Sequence, residues 1–139
     1  MLSPYLSFSG NCEEAFVWYA EVFSGAIVHL SRYGDIPTDP AHQLSEDIKR
    51  QVMHAELVLP NLGSLSGADS LTAVSQGTSV ALHAAFPSVS EAHSAFDALA
   101  VGGAVISPIV SNPPPDDQGI SGALIDRYGF TWIVSGLKD

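Results

Sequence analysis

Residues 11 to 28, NCEEAFVWYAEVFSGAIV, can be laid on residues 88 to 106, SVSEAHSAFDALAVGGAVI, at an offset of 77 or 78 positions. A chain that carries one pattern twice is expected to fold as two copies of one unit, with the same order of elements in each. Asn11 with Glu14, and Ser88 with Glu91, have the spacing of a capping box, in which a side-chain oxygen accepts a backbone N–H three residues on, so both segments should open as helices. Ala15, Phe16, Tyr19, Val22 and Phe23 then follow helical spacing, as do Ala92, Ala95, Phe96 and Leu99, so each helix buries one stripe. Gly25 and the pair Gly102-Gly103 are placed to end the helices in the left-handed conformation that glycine tolerates.

Around the helices, apolar and β-branched runs read as strands over roughly 3–9, 26–33, 52–59, 63–69, 78–86, 104–111, 121–127 and 131–136. The order is β-α-β-β-β, twice. Asp126-Arg127-Tyr128-Gly129 reads as the turn before the last strand, Gly129 supplying a positive φ, and Pro60-Asn61-Leu62-Gly63 as its counterpart. Two stretches fit neither pattern. GDIPTDPAHQLSEDIKRQ (34–51), with a helical turn near Ser45 to Lys49, and SNPPPDDQG (111–119) are long for connectors, and such loops serve either as binding segments or as solvated links.

One run combines strand pattern with chemistry. In QVMHAELVLP (51–60), Met53, Ala55, Leu57 and Leu59 share one side, and Val52, His54, Glu56 and Val58 the other. His54 and Glu56 therefore stand next to each other on one face, and both side chains bind metals and move protons.

Composition narrows the function classes. Five Lys and Arg against 15 Asp and Glu give a formal charge of −10, which repels nucleic acid and anionic membrane surfaces. At 139 residues, 46% apolar, the chain is sized for one soluble domain spanning 1–139, with repeats at about 1–70 and 77–139. MLSPYLSFSG lacks a basic start followed by a long apolar run, and nowhere do 18 apolar residues follow one another, so the chain reads as cytoplasmic. The single Cys12 excludes an internal disulfide and a thiolate metal cluster, and without a basic neighbour it reads as a small buried residue. GxxxxGK[ST], GxGxxG after a strand and GxSxG are all absent; GSLSG at 63–67 has Leu65 where the nucleophile must stand.

The doubled β-α-β-β-β unit, together with PYLSFSGNCEEAFVWYAEVFSGAIV, RYGD, MHAEL and the closing IDRYGFTWIV, resembles the vicinal oxygen chelate superfamily of glyoxalases, bleomycin resistance proteins and extradiol dioxygenases, and within it the PhnB-like branch. The resemblance covers nearly the whole chain. It implies an α+β glyoxalase-like fold in which the two βαβββ repeats form a strongly curved, cupped mixed sheet, and it implies a homodimer. In the metal enzymes of the superfamily, four strand positions around the cup supply His and Glu ligands to a divalent ion, which acts as a Lewis acid or activates water.

Laid on this chain, the four positions are Pro4, Glu56, Ser79 and Ile133, only one of which offers a ligand. The usual metal site is therefore expected to be degenerate, with no cofactor. A nonstandard site drawing on His54, Glu56 and His83 would suit zinc, nickel, manganese or iron, although four residues of strand from Ser79 to His83 displace a side chain by about 13 Å. Without metal, His54 and Glu56 form either an acid-base pair or the polar lining of a pocket for a small organic molecule.

Phe8, Ser79 and His83 join His54 and Glu56 as candidate ligand contacts, Leu6 and Phe8 being placed with Pro4 toward the cup as an apolar floor. Arg32 and Tyr33 are candidates to clamp an anionic or aromatic ligand. Trp132 reads as core, and His29, His42 and His93 as surface or edge residues. Where many relatives have an aromatic loop, Asn112-Pro113-Pro114-Pro115-Asp116-Asp117 predicts a stiffer, more negative rim. Two readings stand: a PhnB-like binding protein, or a lyase, isomerase or dioxygenase type of enzyme using the same pair.

Overall fold

The computed structural model describes residues 1–37 and 43–139. It divides into two compact units, Met1–Ser75 and Gln76–Asp139. The first contains β1 (Tyr5–Phe8), α1 (Cys12–Phe23), β2 (Ala26–Arg32), a 3-10 turn (Tyr33–Asp35), the short α2 (Glu46–Arg50), β3 (Val52–Leu59) and β4 (Gly63–Asp69). The second contains β5 (Leu82–Phe86), α3 (Val89–Ala100), β6 (Ala104–Ser111), β7 (Gly119–Ile125) and β8 (Thr131–Leu137). The sheet orders β1-β4-β3-β2 and β5-β8-β7-β6 are the same arrangement written twice. In each, the first and last strands of the unit pair in parallel and all other pairs are antiparallel. The architecture is therefore α+β, with two four-stranded mixed sheets.

Each sheet has one face against its long helix. In the first unit Leu6 and Phe8 of β1, Ala55, Leu57 and Leu59 of β3 and Leu65 of β4 are buried together with Ala15, Phe16, Tyr19 and Phe23 of α1. In the second, Ala84, Ile120, Leu124, Trp132 and Val134 are buried with Ala92, Ala95, Phe96 and Leu99 of α3. Burying a Leu or Phe fully contributes about 1.5–3 kcal/mol, so these two cores carry most of the driving force.

The caps differ between the copies. Ser88 behaves as its spacing predicts, its Oγ accepting the Glu91 N–H at 3.2 Å. Asn11 makes no side-chain cap bond. Its place is taken by Asp69, at the end of β4 and 2% exposed, whose Oδ1 accepts the N–H groups of Gly10 (3.0 Å) and Cys12 (2.9 Å) while Oδ2 accepts that of Val52 (2.8 Å). A carboxylate at a helix N-terminus also meets the positive end of the helix dipole.

The end of α1 departs from expectation too. Ser24 takes the left-handed conformation (φ 53°), and Gly25 is required for a different reason: a Cβ there would lie 2.6 Å from the Val58 carbonyl oxygen. The turn 126–129 forms as expected with Gly129 at φ +90°. Its carboxylate, on the buried Asp126, accepts from the N–H groups of Tyr128 and Phe130 and from Trp132 Nε1. The strand expected over 78–86 begins only at Leu82, which leaves Ser79 in the exposed segment before it.

Removal of Asp69 leaves three backbone donors without their partner. Asp69→Ala is expected to lower unfolding free energy by roughly 3 kcal/mol or more, since each orphaned buried donor costs about 1–3 kcal/mol, whereas Asn11→Ala should change it by less than about 0.5 kcal/mol. Urea denaturation of the two variants checks this, and equal losses would contradict the assignment of the cap.

Candidate functional site

The face of the first sheet turned away from α1 is polar because β3 alternates. From Ala55 onward the odd positions are buried and Glu56 and Val58 are exposed. The alternation breaks at the start of the strand, where Val52 is buried and Met53 half-buried, and where the pairing of β2 with β3 shifts between Ser31 and Arg32. Across the sheet, Glu56 pairs with His29 of β2 on one side and with Ser66 of β4 on the other, and Ser66 in turn pairs with Tyr5 of β1.

Three side chains form a row on this face. Tyr5 Oη lies 3.0 Å from His54 Nδ1, and His54 Nε2 lies 3.1 Å from Glu56 Oε1. The Tyr5 and His54 rings stack with centroids 5.6 Å apart and planes inclined by 23°. His29 approaches the other side of His54, with ring centroids also 5.6 Å apart. The side chains of His54 and Glu56 are 32% and 49% exposed, so a solute can reach both.

The chemistry of the row follows from its partners. A Glu56 carboxylate can only accept, so Nε2 of a neutral His54 carries the proton, and Nδ1 then accepts the Tyr5 hydroxyl. Burial, with smaller contributions from Cys12 and Tyr33, holds the Tyr5 phenol above its usual range, so Tyr5 keeps its proton at neutral pH. Were His54 to gain a proton, both ring nitrogens would donate, and the Tyr5 O–H would be released toward a bound molecule.

No family model matches the chain. Protein YjdN of Escherichia coli (strain K12) is 23% identical over 144 residues, covering 99% of this chain and 95% of YjdN. The crystal structure of PA1353 from Pseudomonas aeruginosa superposes with a TM-score of 0.83 at 28% identity, over 100% of this chain and 98% of that one. A PhnB protein from Bacillus cereus gives 0.73 at 25% identity, over 99% and 98%. A glyoxylase/bleomycin resistance protein/dioxygenase domain from Frankia sp. EAN1pec gives 0.59 at 16%, over 99% and 90%. The chain has the glyoxalase/bleomycin resistance/dioxygenase fold and is similar in structure to PA1353 and to a PhnB protein.

That fold implies a divalent metal, and the residues here do not fit one. Pro4 and Ile133 have no side-chain donor, and Ser79 lies outside any strand. Nε2 of His54 faces Glu56 and Nδ1 faces Tyr5, so both ring nitrogens are already engaged. His83 belongs to the second unit, where its Nε2 bonds Ser135 Oγ at 2.8 Å. Among the described residues, no three His, Cys, Asp or Glu side chains converge as a metal site would require.

Other candidates found different places. Phe8 is not a pocket floor: it is 3% exposed and packs edge-on against Phe16 of α1, with ring centroids 5.9 Å apart, so β1 shows the sheet's open face Tyr5 and Ser7 instead. Arg32 and Tyr33 are tied down within the unit rather than free to clamp a ligand. Arg32 bonds Glu13 (2.9 Å) and the Arg50 carbonyl (2.9 Å), its pKa raised chiefly by the Glu13 hydrogen bond, and Tyr33 donates to the Asp69 carbonyl at 2.7 Å. Trp132 is core, 2% exposed, and His93 is exposed on α3. His29 is, as read from sequence, an exposed residue of an edge strand, β2, where it stands opposite Glu56. His42 lies outside the described residues. Tyr5 is the residue that sequence reasoning missed, because its role depends on which face of a four-residue strand meets the helix.

Cys12 is fully buried, and burial, reinforced by Asp69 and Glu13, pushes its thiol up to about 12 from an ordinary 9.0. The thiol is protonated in the folded state and therefore inert. Because the folded value is raised, the stability linked to it is fully present below about pH 9 and is lost as pH rises toward about 12. Wild-type protein should lose stability across that window more steeply than Cys12→Ala, as read from urea midpoints, and native Cys12 should resist iodoacetamide at pH 8 until unfolded. Rapid alkylation of the folded chain would contradict this.

Proposed function

We propose that this PhnB-like chain binds a small, partly apolar organic molecule on the open face of the first unit's sheet, held by Tyr5, His54 and Glu56. The observation that carries the reading is the hydrogen-bonded row itself, solvent-accessible, on a fold in which Glu56 alone of the four expected metal positions offers a ligand. Glu56 keeps a second carboxylate oxygen for the ligand, and the Tyr5 ring gives an apolar edge beside a polar head. Ser64 and Ser66 of β4 flank the row with further hydroxyl groups.

A second reading rests on the linear order of the row. Glu56, His54 and Tyr5 are bonded in series, the arrangement in which a carboxylate orients an imidazole and the imidazole takes a proton from a hydroxyl. Proton transfer to or from a bound molecule would make the chain an isomerase or lyase type of enzyme acting through the same groups.

The two readings diverge in Glu56→Gln. A binding site retains affinity within about threefold in that variant, while Tyr5→Phe, which removes one hydroxyl bond, weakens binding by roughly three- to tenfold, in line with about 0.5–1.5 kcal/mol per hydrogen bond. Titration of 15N-labelled protein with a fragment set of aromatic alcohols reads both effects at the Tyr5, His54 and Glu56 amides. A hit whose turnover collapses in Glu56→Gln while its affinity persists selects the catalytic reading. Fragments that perturb no residue of the row overturn both.

A further inference from the structure

The second unit has an open cleft of about 570 Å³ that shares no residue with the Tyr5, His54 and Glu56 row. Its walls are His83, Ser121, Ile133, Ser135 and the loop 112–116. The loop is held in place by its own backbone: the Asn112 N–H donates to the Gly119 carbonyl (2.9 Å), that of Asp116 to Pro113 (3.0 Å) and that of Gly119 back to Asp116 (3.0 Å).

One wall has a definite polarity. The Ser121 hydroxyl donates to Asn112 Oδ1, and Asn112 Nδ2 donates to Asp116 Oδ2 at 2.9 Å. The single proton of Ser121 is thereby used, so its oxygen offers lone pairs to the cleft, as do the remaining acceptor sites of Asp116. On the other wall, His83 Nε2 and Ser135 Oγ are bonded at 2.8 Å, and with either tautomer the pair keeps one donor and further acceptors. Three consecutive prolines and Ile133 supply apolar surface between the polar groups.

Charge decides which ligand this suits. No Lys or Arg lines the cleft, Asp116 does, and the chain carries a formal −10. An anion would meet a carboxylate with no compensating cation, while an ammonium or amidinium would meet acceptors already turned toward it. We propose that this cleft binds a small organic cation, an amine or amidine carried on a flat apolar body, with the charged group against Asp116 and Ser121 and the ring against the prolines and Ile133. The volume falls within the range of small-molecule sites. Because Asp116 is exposed, the ion pair is screened and the affinity is modest.

Benzamidine and benzoate, which share a ring and differ in sign, test the assignment. On titration into 15N-labelled protein, benzamidine should give saturable shifts at the amides of His83, Asn112, Ser121 and Ser135, weaker at high salt, and benzoate should give none. Asp116→Asn, an exposed substitution whose dispersed spectrum verifies folding, should weaken benzamidine by about three- to tenfold, the size expected for a charge-assisted hydrogen bond. Equal binding of benzoate, unchanged affinity in Asp116→Asn, or shifts confined to Tyr5, His54 and Glu56 would each overturn the proposal. The last of these would leave the site of the first unit standing, so the two readings fail separately.

Discussion

The first unit depends on one buried carboxylate. Asp69 stands at the end of β4 and bonds the turn into α1, the first residue of that helix and the first residue of β3. A charged group at 2% exposure is costly unless its oxygens are satisfied, and three backbone N–H donors satisfy them. Through the Val52 N–H, Asp69 ties the start of β3, the strand that carries His54 and Glu56, to the end of β4 and the start of α1. The row thus stands on a strand anchored by a residue that takes no part in it.

The polar side chains on the open face of the first sheet satisfy one another in turn. In this chain His54 lies two residues before Glu56 and its imidazole satisfies that carboxylate, while Tyr5, stacked on the ring, satisfies the imidazole. Three hydrogen-bonding groups in series thus hold one another in place on the open face of the sheet.

How much of this was legible in the sequence depended on the range of the interaction. The bounds of β3 and β4 were readable because alternation and the Pro60-to-Gly63 turn are local, although the faces of Val52 and Met53 were not, and Ser88 was readable as a cap because its partner is three residues away. The cap of α1 was not, since Asp69 lies 57 residues from Cys12 and nothing near Asn11 announces it. Phe8 was misplaced because a strand of four residues has too few alternations to show its phase, and only Phe16 decides it. Ser79 was misplaced because apolar residues on either side of a loop imitate a strand. Arg32 looked free because Glu13 and the Arg50 carbonyl, which hold it, come from distant elements.

The two repeats also show where duplicated sequences are free to diverge. Sheet order, the long helix and the core stripe persist in both, since altering any of them would expose the core of that unit. The buried carboxylate does not persist in one place. In the first unit it joins β4, β3 and α1; in the second, Asp126 sits in the β7–β8 turn, bonding two turn amides and the Trp132 indole. The second helix, capped by its own Ser88, needs no distant partner, so its carboxylate can stiffen the hairpin that carries Ser121, Ile133 and Ser135. Each unit therefore applies its strongest polar constraint next to the strands that present its outward-facing polar groups. Rigid support of that kind keeps a side chain within the few tenths of an ångström that recognition demands.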